Sequence, residues 1–182
     1  MSPLRSSQDA IVDAAEAVVL KGGAAHMTLD AVAAKAGVSK GGLLYHFPTK
    51  KALLKAMLDR HVQRLDEARK RKSAELPDGA TRAIEAYILS SLARDRRTER
   101  ISAALLAAVA HDPRLLEPIR NKYQRVLSEL TPSGLRFERA AVIALAADGL
   151  RLLEILSLSP LKDKQRKQVI EEMLRLADEE IQ

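Results

Sequence analysis

Residues 28–58 read TLDAVAAKAGVSKGGLLYHFPTKKALLKAML. Thr28 can cap a helix, and Asp30 suits the positive end of that helix. The helix runs to about Ala36 and buries Leu29, Val32 and Ala33. Gly37 supplies a tight turn at positive φ. Ser39 caps a further helix over 40–46, and Pro48 ends it, because the residue before a proline is biased away from helix. A long helix with a basic head then starts near Lys50. Two short helices around a glycine turn, followed by a rod, form a unit whose second short helix can stand clear of its domain.

The other segments extend this pattern. Ile11, Ala14, Ala15, Val18 and Val19 give helical spacing over 7–22, closed by Gly22 and Gly23. The rod is expected over 50–72, with Leu54, Met57, Leu58, His61 and Leu65 inward, and would span roughly 34 Å. A turn at 76–79 precedes helices over 80–94, 98–110 and 114–130. Thr131-Pro132-Ser133-Gly134 ends the last of these. Helix eight, 136–157, is apolar almost all round, which predicts burial on most sides. Helix nine, 163–181, is amphipathic through Val169, Ile170, Met173, Leu174, Ala177 and Ile181. The expectation is an all-α chain of about nine helices. Residues 1–50 would form a helix-turn-helix DNA-binding domain. Residues 51–182 would form a helical effector-binding and dimerisation domain.

Composition narrows the function classes. Hydrophobic residues make up 47% of the 182, too many for a disordered chain. No cysteine is present, so disulfides and thiolate metal sites are excluded. No apolar run is long enough for a bilayer span, and the first residues lack a signal peptide's apolar region. A cytoplasmic protein with no membrane partner is expected. The net charge of +6 resides entirely in residues 1–72, while 73–182 balance to zero. A basic excess confined to one small domain points to a polyanion, most often nucleic acid.

Enzyme chemistry finds no support. The histidines, at 26, 46, 61 and 111, show no metal-ligand spacing. The chain has no phosphate loop and no Glu-x-x-His pair, and its Gly37-Val38-Ser39-Lys40-Gly41 string joins two expected helices, not the strand and helix of a nucleophile elbow. Neither a metal nor a cofactor is expected. The rival reading is a helical protein-interaction adaptor without sequence-specific DNA binding. It leaves Gly41-Gly42, Tyr45-His46 and the charge asymmetry without a purpose.

Residues 39–47 are costly unless their outer face is used. Gly41 and Gly42 each lose about 1 kcal/mol relative to alanine inside a helix. Leu44 and Tyr45 are adjacent, so one must leave the core side. Glycine lets a backbone come close to a partner, an exposed apolar side chain can meet a thymine methyl, and a tyrosine hydroxyl can hold a phosphate. Lys40 can reach a base edge or a phosphate. His46 closes the same helix. Lys50 opens the next, where free amide donors also favour phosphate.

From Thr28-Leu29-Asp30-Ala31-Val32 through Gly37-Val38-Ser39-Lys40-Gly41-Gly42-Leu43-Leu44-Tyr45-His46-Phe47 to Lys50, the sequence resembles the DNA-binding domain of TetR-family transcriptional regulators. The resemblance covers about residues 9–58; beyond it, only the number and order of helices are similar. It implies a homodimer, most often a repressor, reading half-sites of a pseudo-palindromic double-stranded operator. It also implies an unidentified small-molecule effector that changes the spacing of the two recognition helices. Thr28 then matches a phosphate or cap position, and Ser39 belongs with the DNA-facing set or serves only as a cap. Lys40, Gly41, Gly42 and Leu44 match base-facing positions, and Tyr45, His46 and Lys50 backbone-clamping ones. Two residues depart from the pattern: Asp30 stands where many members are basic, and Leu44 where many carry tyrosine.

The same resemblance places the effector among helices five to seven, with Tyr87, Ser91, His111 and Tyr123 as candidate polar contacts. With aromatics at 3%, a small or aliphatic ligand fits better than a broad aromatic chamber would. Helices eight and nine are the candidate dimer surface, through Ala144, Ala147, Asp148, Leu152, Ile155, Val169, Ile170, Met173, Leu174 and Ala177. Asp148 has three readings open: a cross-dimer hydrogen bond, an effector contact, or a water-facing side chain.

Overall fold

Nine α-helices form the described part of the chain in the computed structural model, which describes residues 6–23, 26–130 and 135–178. The expected turn at 131–134, the contribution of Ile181 and the first five residues lie outside that range. Local capping chemistry sets the early boundaries. Helix α1 spans Ser7–Gly22; the Ser6 hydroxyl accepts from the Asp9 N–H at 3.1 Å, and Gly23 closes it at φ +80°. Helix α2, Leu29–Ala36, starts at Thr28, whose hydroxyl accepts from the Ala31 N–H at 3.1 Å. It stops at Gly37, left-handed at φ +70°, where the Gly37 and Val38 amides donate back to the last turn. Helix α3 is Lys40–His46, capped by Ser39. Helix α4, Lys50–Glu75, is capped by Thr49, whose hydroxyl accepts from the Ala52 N–H at 3.0 Å.

The remaining helices are α5 (Arg82–Ser91), α6 (Arg96–His111), α7 (Glu117–Leu130), α8 (Phe137–Ile155) and α9 (Asp163–Asp178). The expected helix over 114–130 begins instead as a separate 3-10 turn, Pro113–Leu116, capped by Asp112. The rod α4 buries Leu53, Met57, Leu58 and Val62; Leu54, His61 and Leu65 are only half-buried. Its inner stripe thus keeps Met57 and Leu58 but takes Leu53 in place of Leu54 and Val62 in place of His61.

The chain divides into two compact units: residues 1–61 with 95–119, and residues 62–94 with 120–182. In the first, Ile11, Ala15, Val19, Val32, Leu43, Leu53 and Met57 join Ile101, Leu105 and Leu115 in one core. Helix α6 therefore packs with the helix-turn-helix segment. Polar links reinforce it. The Glu16 carboxylate, 1% exposed, receives Arg97 at 3.1 Å. Arg100 donates to the Leu20 carbonyl, and the Ser102 hydroxyl meets His61 Nε2 at 3.0 Å. Arg60 of α4 grips Asp13 at 2.6 Å and Asp9 at 2.8 Å on α1.

In the second unit, Ile84, Tyr87 and Ile88 of α5 pack on Ala140, Ile143, Ala144, Ala147 and Leu150 of α8, with Val126, Leu130, Met173 and Ala177 completing the core.

Candidate nucleic-acid interface

Helix α3 is anchored by one residue. Leu43 is fully buried, and Phe47, which caps the helix, is 7% exposed. The rest of this short helix faces outward or lies at its edge. Lys40, Gly41 and Tyr45 are exposed; Gly42, Leu44 and His46 are half-buried. Tyr45 is 84% exposed, and its ring meets His46 edge-on at 5.2 Å between centroids. Thr28, Ser39 and Lys50 are exposed on the flanks. The Ser39 hydroxyl accepts from the Gly42 N–H at 3.0 Å, and the Thr28 hydroxyl caps α2, so both have a structural task. Lys40 Nζ lies 3.0 Å from Asp30 Oδ1 on α2, a pairing that helical spacing cannot reveal across ten residues and a turn. Lys51, next to Lys50, pairs with Asp112 at 2.7 Å. Arg114 and Lys51 hold the Asp112 carboxyl well below the usual range.

In the second unit, Tyr87 and Tyr123 converge. The Tyr87 hydroxyl, in a side chain 1% exposed, donates to Asp148 Oδ2 at 2.7 Å. Burial first, then the Asp148 charge, pushes the Tyr87 phenol up. Tyr123 also bonds to Asp148, and burial followed by that charge pushes its phenol up to about 12. Ser91 stands beside the Tyr87 oxygen, while its carbonyl accepts from Arg151 at 2.6 Å. Burial raises Asp148 against the opposing pull of Tyr87, Lys122 and Arg151, and burial lowers Lys122. Of the four expected effector contacts, Tyr87 and Tyr123 therefore meet at one carboxylate, with Ser91 reaching Tyr87. His111 ends α6, and its side chain lies outside the described residues.

The two faces of α8 differ from the expected all-round burial. Ala144, Ala147, Met173 and Ala177 belong to the unit's own core, and Asp148 is bonded within the chain. These five are therefore occupied inside one protomer. Ile155, Val169, Ile170 and Leu174 are half-buried. The opposite face of α8 carries Val142, Leu145, Leu152, Leu153 and Leu156 at 64, 69, 43, 39 and 48% exposure. Of these only Leu152 was among the expected dimer contacts. The i, i+3, i+7, i+10, i+14 spacing of Val142, Leu145, Gly149, Leu152 and Leu156 was the available signal.

Comparison with known proteins agrees with this anatomy. A family described as "Bacterial regulatory proteins, tetR family" matches residues 11–57. A second, "Tetracyclin repressor-like, C-terminal domain", matches residues 81–178, more than half of the chain. The chain belongs to the TetR family. It is 34% identical over 98 residues to the HTH-type transcriptional regulator TtgR of Pseudomonas putida, across 52% of this chain and 47% of that protein. The chain thus matches about half the length of that relative. Among solved structures, SCO7518 from Streptomyces coelicolor A3(2) is similar at a TM-score of 0.77 and 19% identity, over 96% of this chain and all of that one. The multidrug binding protein EbrR complexed with ethidium is similar at 0.66 and 24%, over 92% and 98% of the two chains.

As a TetR-family transcriptional regulator, and not an enzyme, this chain offers two places of interest: the α3 face and the Asp148 cluster. No helix among the described residues is long and apolar enough to cross a membrane, and no described cluster of His, Asp and Glu could hold a metal. The Asp148 cluster makes a pH prediction. A carboxyl raised in the folded state binds its proton more tightly there than in the unfolded chain. Its contribution to stability is therefore lost as pH rises from the ordinary value of 3.8 to the raised one. Asp148→Asn keeps an acceptor for Tyr87 and cannot titrate. The stability of wild type minus that of the variant should fall with rising pH across that window, read as Tm against pH. A flat difference would place Asp148 in water.

Proposed function

We propose that this TetR-family chain is a ligand-responsive repressor that binds a pseudo-palindromic operator as a homodimer in the cytoplasm. Tyr45 carries the DNA half of this reading. A tyrosine left 84% exposed on a seven-residue helix that also carries two glycines and Lys40 contributes little to the core. It suits a phosphate contact, with its ring braced by His46. Lys40, Gly41, Gly42 and Leu44 are proposed to face bases. Thr28, Ser39, His46 and Lys50 would border the backbone, with the free amides at the start of α4 adding to Lys50.

The effector is proposed to place its polar group among Tyr87, Ser91, Tyr123 and Asp148. EbrR, of similar fold, holds the aromatic molecule ethidium. The sparse aromatics of this chain favour a smaller or aliphatic molecule. The apolar face of α8 is the proposed meeting surface of two copies, extended by the half-buried apolar residues of α9.

Selection of genomic fragments by the purified protein at two salt concentrations tests the reading. It should recover inverted half-sites about one helical turn apart, or a multiple of it. Recovery of unrelated sequences that all dissociate at the higher salt would defeat it. Lys50→Ala should lower affinity evenly across sequences and flatten the log–log salt slope by about one per subunit. An unchanged slope would remove Lys50 from the interface.

A further inference from the structure

We propose that Asp30 and Lys40 act as one reading unit that selects a G·C base pair in each half-site. The inference rests on the DNA-binding reading above and adds a specificity determinant to it. Lys40 opens α3, and its ammonium is shared between Asp30 Oδ1 at 3.0 Å and Oδ2 at 3.2 Å. Both side chains are largely open to water, at 59 and 68% exposure. Exposed ion pairs add little to stability, so the fold gives no strong reason for this one. An acid on a surface meant for a polyanion also repels phosphate. Asp30 also suits the first turn of α2, of which it is the exposed residue, but that local role does not call for Lys40 beside it.

The pair changes what Lys40 can recognise. Alone, a lysine is a point charge on a flexible stem and binds any phosphate within reach, whatever the sequence. Held by Asp30, the ammonium keeps two donors for other partners, and the carboxylate keeps acceptor sites beside them. The unit therefore presents donor, donor and acceptor in a row. In the major groove a G·C pair presents the complement: guanine N7 and O6 accept, and cytosine N4 donates. The O6 and N4 atoms are joined by an N–H···O hydrogen bond, so they lie about 2.9 Å apart. That spacing matches the 3.0 Å between Lys40 Nζ and Asp30 Oδ1. An A·T pair alternates acceptor, donor, acceptor and then a methyl group, so one lysine donor would face that methyl. G·C satisfies all three groups and A·T only two.

Asp30 is thus a positioning and specificity residue, acting directly on cytosine and through Lys40 on guanine. The test is binding-site selection with the full chain as wild type, Asp30→Ala and Lys40→Met, followed by affinity on the selected site at several salt concentrations. Both variants should melt close to wild type, because neither side chain is packed. Wild type should select a fixed G·C pair, and Lys40→Met should identify its position by losing it. Asp30→Ala should weaken that one preference roughly tenfold. Its freed ammonium should also tighten binding to random DNA and steepen the salt slope by about one per subunit. If Asp30→Ala keeps the wild-type preference and slope, or the Lys40-dependent position is A·T, the proposal falls while DNA binding stands. If wild type selects no sequence at all, both fall.

Discussion

Leu145→Glu combined with Leu152→Glu is expected to leave the chain folded, monomeric, and weaker on its operator by about two to four orders of magnitude. The two leucines are 69 and 43% exposed on the outer stripe of α8. Glutamate there is already in water in a single protomer, so the fold loses little. Across an isologous interface each copy contributes the same patch. Four carboxylates would then be brought together in a surface that must lose its water, and unpaired buried charges are not tolerated. Breaking the dimer leaves each half-site to be bound separately. The second contact then loses its effective concentration, a loss of about 10²–10⁴ without any change in the recognition helix. Sedimentation equilibrium reads the first effect and operator titration the second. The control is Ala147→Glu, fully buried beside α5, which should unfold the second unit instead. A double variant that remains dimeric at wild-type affinity would assign the stripe to something other than a second copy.

How much of this was legible in the sequence depends on how local each cause is. The limits of α1, α2 and α3 follow from caps and glycines within four residues of each helix end. Thr28, Gly37, Ser39 and Gly23 act as their residue types dictate. The rod was harder. Ala52-Leu53-Leu54-Lys55-Ala56-Met57-Leu58 allows two helical phases, and packing in the first unit chose the one through Leu53. Helix α8 was harder still, because an apolar residue on every side gives periodicity nothing to choose between. The tertiary partner resolves it: Ala140, Ile143, Ala144, Ala147 and Leu150 form the face that packs on Ile84, Tyr87 and Ile88 of α5, and Leu145 and Leu152 are left outside. Pairings between distant residues, such as Glu16 with Arg97 or Tyr87 with Asp148, leave no trace in any local pattern. The Asp30–Lys40 pair belongs to that class, although Asp30 was already conspicuous as an acid in a basic segment.

Gly41→Leu should separate folding from DNA recognition more sharply than any charge change. A Cβ built on Gly41 comes no nearer to another group than 4.0 Å, at the Ser39 hydroxyl. Its φ is not positive, so neither space nor backbone conformation demands glycine there. Gly42 differs: its Cβ would sit 3.3 Å from the Ser39 hydroxyl that caps α3. Replacing Gly41 should therefore stabilise the helix, by a few tenths up to about 1 kcal/mol. The protein has left that gain unused on an exposed helix only seven residues long. If α3 lies in the major groove, Gly41 is where its backbone comes nearest the bases, and a leucine there would push the helix outward. Lys40 and Tyr45 would then lose their contacts together, so affinity should fall by about 100-fold or more, the effect of one to two lost contacts per subunit. Gly41→Ala should fall between wild type and leucine. The measurement is paired: Tm by thermal melting, and operator affinity at fixed salt. A higher Tm with lost binding places Gly41 against DNA. A higher Tm with wild-type affinity would turn α3 away from the bases and transfer the reading to other residues.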